Sequence, residues 1–122
     1  MDKGVIDDSS SNLSYPLRGT GSIIYNVTIK ADRVIANEWL QWTLKDHAPQ
    51  IIKTQCFTSF TVLQILDIDD SDGPTYAVQY FANTLSDYHR YIDEHADYFR
   101  NESAIKWGNN IMAFRTIMKA VN

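Results

Sequence analysis

Large apolar and polar side chains alternate along four segments of the chain, and two longer segments repeat their apolar residues at steps of three and four. The sharpest case is GPTYAVQYFANTLSDYHRYIDEHADYF, from Gly73 to Phe99. Thr75 to Phe81 is β-branched and aromatic, bounded by Gly73-Pro74 and Asn83-Thr84, and predicts a strand. Thr84 and Asp87 have the spacing of an N-terminal capping box. Leu85, Tyr88, Ile92, His95 and Phe99 then fall on one face of a helix.

The same patterning organises the rest. Ser22 to Lys30 predicts the first strand, with Tyr25, Val27 and Ile29 turned to the helices and Ile24, Asn26 and Thr28 turned away. Asp32 is the expected N-cap of the first helix. Its buried stripe is Ile35, Trp39 and Trp42, flanked by Ala36, Leu40 and Leu44, and Pro49 ends or bends it. Cys56 to Leu66 predicts a second strand, joined to the third by the loop Asp67 to Pro74. Asn101 to Gly108 reads as a short extra turn of helix stopped by Gly108. Asn110 to Val121 predicts the last strand, with Phe114 and Met118 toward the helices and Ile111, Ala113, Arg115 and Ile117 away from them.

Strand, helix, strand, strand, helix, strand is the split βαβ order, so the expected fold is an α+β ferredoxin-like sandwich, a four-stranded antiparallel sheet with two helices on one face. A short internal echo fits this order: Lys-Asp-His-Ala at 45–48 and Asp-Glu-His-Ala at 93–96 occupy matching places in the two halves. The single domain should span 21–122, behind a Ser-, Gly- and Asp-rich flexible tail over 1–20 that has no apolar core of a secretory signal. Two helices leave the second sheet face bare, and the expected cover is a second copy of the chain, a homodimer.

Composition narrows the partners. A net charge of −4 argues against nucleic acid, which calls for a basic footprint. The third strand also lacks the pattern of an RNA-recognition motif, with Thr75 and Ala77 where stacking aromatics belong. Cys56 is the one cysteine, which fits a reducing, cytoplasmic setting. No apolar run has the length of a membrane span. The aspartates of the Asp67–Pro74 loop do not make an EF-hand: counted from Asp67, the sixth and twelfth positions hold Asp72 and Val78, not Gly and Glu.

IIYNVTI at 23–29, EWLQW at 38–42, HAP at 47–49, TYAVQYF at 75–81 and AFRT at 113–116 resemble a bacterial family of small proteins described as a domain of unknown function. A helix, then His-x-Pro, then a strand is also similar to the dimeric α/β-barrel superfamily, which includes EthD-like proteins and antibiotic-biosynthesis monooxygenases. The resemblance implies a ferredoxin-like protomer and a homodimer whose sheets enclose a barrel. It implies no particular activity.

Among titratable groups, His47 is the leading candidate: near the end of the first helix it could reach a pocket mouth and move a proton or bind a carboxylate, or it could simply cap the helix and pack on Trp42 or Trp39. His95 reads as a half-buried core residue and His89 as exposed; six residues apart, they do not face one metal, and no metal site is expected. Asn26, Gln79 and Arg115, with Ser59, should share the sheet face away from the helices. Together with His47 they are the candidate ligand-binding residues, and a buried arginine there needs an anion. The alternative is a polar network at the dimer interface. The function expected is binding of a small aromatic or carboxylate ligand in the barrel lumen, without a cofactor. The alternative is a cofactor-independent monooxygenase or isomerase acting on a small aromatic substrate, with His47 as its base.

Overall fold

The computed structural model describes residues 22–122. The expected tail over 1–20 lies outside the described residues. Four strands form one antiparallel sheet: β1 (Ile23–Ala31), β2 (Ser59–Gln64), β3 (Thr75–Ala82) and β4 (Ile111–Lys119), in the order β2-β3-β1-β4. The helices between them pack on one face, so the split βαβ sandwich is the observed architecture. No helix among the described residues is long and apolar enough to cross a membrane.

Each expected helix is in fact two. In the first half, α1 (Ala36–Trp42) runs into a π-helical turn over Thr43–His47 and on into α2 (Ala48–Ile52). Pro49 accounts for the widened turn. A proline ring inside a helix clashes with the carbonyl four residues back, here that of Lys45, and brings no N–H to bond it. The wider turn accommodates the ring, and the Ala48 N–H reaches back five residues to the carbonyl of Thr43. So Pro49 neither ends nor simply bends the helix. Asp32 does not cap it: α1 starts at Ala36 behind Ile35, with no side-chain cap. Leu44, expected beside the buried stripe, is exposed on the outside of the π turn.

In the second half, α3 (Leu85–Glu94) and α4 (Ala96–Trp107) meet at His95, whose backbone (φ −130°, ψ −29°) leaves the helical region. Thr84 caps α3 as expected, with the Asp87 carboxylate meeting its hydroxyl. Thr84 Oγ1 accepts from the Asp87 N–H at 3.1 Å and donates to Asp87 Oδ2 at 3.0 Å. Leu85 is exposed, and Tyr91 is the most deeply buried residue of α3. The extra turn expected over 101–108 is the second half of α4, stopped at Gly108 in the left-handed region (φ +53°).

The second strand is shorter than expected. Cys56 and Phe57 precede it as buried coil, and Ile65 and Leu66 leave it. The acidic loop is held by Arg33, whose Nη2 donates at 2.8 Å to the carbonyls of both Asp70 and Ser71. Gly73 (φ +147°) lies where a β-carbon would collide with the carbonyl oxygen of Ala31, so only glycine fits the end of this loop.

The core lies between helices and sheet. Ile23, Tyr25 and Ile29 of β1 and Val78 and Tyr80 of β3 meet Trp39, Ile51, Tyr91, Phe99 and Trp107. Tyr25 is its hub, with its ring within 6 Å of the rings of Phe57, Tyr80, Tyr88 and Tyr91.

Candidate functional site

Registration of β4 on β1 decides what faces the helices. Val27 is opposite Arg115 and Ile29 opposite Ala113. Residues opposite one another in an antiparallel pair share a face. Because Tyr25, Val27 and Ile29 look toward the helices, so do Ile111, Ala113 and Arg115. The expected assignment of β4 is therefore reversed. Met112, Phe114 and Met118 lie on the bare face and are exposed, although they are the more apolar side of the strand.

The expected site residues separate accordingly. Asn26, Ser59 and Gln79 do share the bare face. Gln79 Nε2 donates to Asn26 Oδ1 at 3.3 Å, and Asn26 Nδ2 donates to Thr28 Oγ1 at 3.1 Å, so the two amides bond within their own sheet. Ser59 Oγ is buried there without a hydrogen-bond partner. Arg115 is on the opposite side, with His47. These two line a partly open cavity of ≈ 210 Å³ between the sheet and the helices. The sheet floor brings Tyr25, Val27, Tyr80 and Arg115, the first helix brings Trp39, Trp42, Thr43 and His47, and α4 brings Phe99, Arg100 and Ser103.

The cavity has a cationic side. Arg100 Nη2 donates to the hydroxyl of Tyr25 at 3.1 Å, while its Nε is buried with no partner. Among the described residues, the side chain of Arg115 has neither a hydrogen bond nor a salt bridge. Burial pushes the phenol of Tyr91 above its usual range, and Arg100 and Arg115 pull against that shift, so both guanidinium groups bear on the Tyr91 hydroxyl. Burial likewise holds the Tyr80 phenol protonated. Among the described residues, no acidic side chain lines the cavity. Two guanidinium groups and neutral phenols with no carboxylate to balance them suit an anion.

The other side is neutral. The His47 ring stacks on Trp42 (centroids 4.3 Å apart) and meets Phe99 edge-on at 5.8 Å. Its Nδ1 is buried without a hydrogen bond, and Glu102 Oε1 stands 3.6 Å away, beyond hydrogen-bond reach. Burial pushes the imidazole down to about 4 against the opposing pull of Asp46, so His47 is neutral at pH 7. Thr43, one turn earlier and 1 % exposed, has an unpartnered Oγ1 as well. A helical threonine normally bonds the carbonyl a turn back, and this one does not.

Sequence reasoning singled out His47 and Arg115 but missed Thr43 and Arg100. Thr43 was findable: it lies four residues after Trp39 and four before His47, a polar residue on an apolar stripe. Arg100 follows the buried Phe99 and carries no comparable signal. His95 is half-buried and His89 exposed, as expected. Among the described residues no group of His, Cys, Asp and Glu could hold a metal ion.

Sheet, helices and interior cavity define a ferredoxin-like α+β domain with a small-molecule-sized pocket. The chain belongs to the family described as Domain of unknown function (DUF4286), whose profile matches residues 22–121. No curated protein matches the sequence. Solved structures share the fold. A dimeric ferredoxin-like protein from an uncultured marine organism superposes with a TM-score of 0.65 at 10 % identity, over 83 % of this chain and 96 % of its own. An EthD-like protein from Ralstonia eutropha gives 0.60 at 15 % identity, over 85 % and 96 %. SnoaB, a cofactor-independent oxygenase from Streptomyces nogalater, gives 0.59 at 11 % identity, over 84 % and 95 %. At these identities the likeness is one of fold.

Proposed function

We propose that this protein binds a small organic anion, aromatic or carboxylate, in the cavity between sheet and helices, and that it does so as a homodimer. The observation that carries the binding reading is that three residues lining the cavity, Thr43, His47 and Arg100, each keep a buried polar atom (Oγ1, Nδ1 and Nε) without a hydrogen-bond partner. A buried polar group without a partner costs roughly 1–3 kcal/mol, so three around one cavity make sense where a ligand supplies the partners. The unbalanced pair Arg100 and Arg115 sets the sign of that ligand. The site is thus the helix side of the sheet rather than the barrel lumen, and Asn26, Ser59 and Gln79 take no part in it.

The homodimer rests on the bare face, where Leu63, Met112, Phe114 and Met118 are exposed together, and it fits the dimeric state named for the marine structural relative. A cytoplasmic setting fits a buried, unpaired Cys56. Binding is favoured over catalysis by His47: a base held at about 4 is far from the near-neutral value that proton abstraction at pH 7 favours.

Trp39 and Trp42 line the cavity and report on it. Titrating benzoate into the protein should quench their fluorescence saturably, and Arg115→Met should weaken that binding at least tenfold. Because Arg115 is exposed and unpaired, the variant should keep its unfolding midpoint. Undiminished binding by Arg115→Met would refute the anion assignment, and a monomer by light scattering at micromolar concentration would refute the dimer.

A further inference from the structure

The cavity is polarised, and its two sides ask for different groups. Arg100, Arg115 and the Tyr25 hydroxyl gather around Tyr91. Thr43 and His47 lie across Phe99 from them, since α4 turns Arg100 and the His47-facing Glu102 to opposite flanks of Phe99. The cationic side calls for a carboxylate. The other side offers a hydroxyl and an imidazole nitrogen, both neutral, both buried and both unpartnered. A neutral group that can donate and accept satisfies them, and a second anion does not, because Glu102 stands 3.6 Å from His47 Nδ1.

Size limits what lies between. Apolar cavities of about 150 Å³ accept one benzene ring. At ≈ 210 Å³ this cavity has room for a ring with a substituent at each end. Trp39, Phe99 and Tyr91 supply flat aromatic walls.

Resting on the binding reading above, we infer that the ligand is a single-ring hydroxy-aromatic carboxylate, its carboxylate met by Arg100 and Arg115 and its hydroxyl read by Thr43 and His47. Thr43 is then the specificity-determining residue. A site built to hydrogen-bond a hydroxyl rejects the analogue that lacks it, because its own polar atoms stay unpaired.

The test compares benzoate with the three monohydroxybenzoates by calorimetry on the full chain, wild type and Thr43→Val. At least one hydroxybenzoate should bind tenfold or more tightly than benzoate. Thr43→Val should erase that preference, bringing every hydroxybenzoate to the affinity of benzoate in the same variant. The same variant without ligand should raise the unfolding midpoint, since it removes an unpaired buried hydroxyl and keeps the shape. Equal affinity for benzoate and every hydroxybenzoate would overturn this inference while leaving the anion site standing. Failure of all four acids to bind would overturn both. A lower midpoint for Thr43→Val would show that the hydroxyl is already partnered, and would overturn the role given to Thr43.

Discussion

Lys-Asp-His-Ala at 45–48 and Asp-Glu-His-Ala at 93–96 occupy matching places in the two halves of the fold, yet their histidines have different fates. Both sit where a helix departs from regular α geometry, in the π turn through His47 and in the break at His95. Both precede an alanine with almost no exposed surface, Ala48 and Ala96. The difference comes from above. The His47 side chain is 15 % exposed, pressed between Trp42 and Phe99 with an unpartnered Nδ1. His95 is 32 % exposed, beside Glu94 and more loosely stacked on Tyr91 at 6.3 Å. Similar local sequence lies at two different backbone disruptions, a π turn before Pro49 and a break at His95, and tertiary packing decides which imidazole loses its water. Helices of both halves wall the cavity, but only the dry histidine, His47, is among its lining residues.

The largest test of this contrast is to remove the anchor of the dry half. Trp39 is 2 % exposed and stacks on Tyr76 at 5.3 Å, tying the first helix to the sheet. Trp39→Ala should cost about 3–5 kcal/mol of unfolding free energy, read by denaturant titration. A loss under about 1 kcal/mol, the range of surface substitutions, would mean the first helix is not held through Trp39.

The second test follows the dry histidine, His47, by pH. The folded value of His47 is lowered from 6.5 to about 4, so the unfolded chain binds more protons between those limits. Stability is therefore full above about pH 6.5, falls as the pH drops, and levels off below about 4. At 1.36 kcal/mol per pK unit the loss amounts to about 3 kcal/mol. His47→Phe should flatten this part of the profile. A profile that His47→Phe leaves as steep as the wild type would show that burial does not hold this imidazole neutral.

What could be read from the sequence divides along the same line of local against tertiary causes. Strands β1 and β3, the Thr84 cap and the Gly108 stop were legible because each rests on neighbouring residues: alternation, a three-residue spacing, a left-handed glycine. The break at His95 was not, since neither glycine nor proline marks it. Pro49 was visible, but whether a proline stops a helix or widens one turn depends on what the following residues bury, and here Ile51 is in the core. The face of β4 was misjudged because apolarity pointed Phe114 and Met118 inward, whereas registration on β1 puts Arg115 there. That one reversal moved the candidate site from the bare face to the cavity.

The smallest contrast concerns how the two helices begin. α3 opens on Thr84, whose hydroxyl takes the Asp87 N–H, one of four N–H groups that a helix start leaves without partners. α1 opens behind Ile35 with no side-chain cap, and Asp32, three residues earlier, bonds through its backbone, its carbonyl accepting from the Ile35 N–H and its N–H donating to the Asn110 carbonyl. Thr84→Ala should therefore cost about 1 kcal/mol, the usual value of an N-cap hydroxyl. Asp32→Ala, which looks equally damaging from sequence, should stay within about 0.5 kcal/mol, because the backbone bond survives the loss of the carboxylate. Both are measured as shifts in the denaturant midpoint at constant slope, so that a change in the unfolded state is not mistaken for one in the cap. An Asp32→Ala loss matching that of Thr84→Ala would show that the first helix is capped by its side chain after all, and that the two halves start alike.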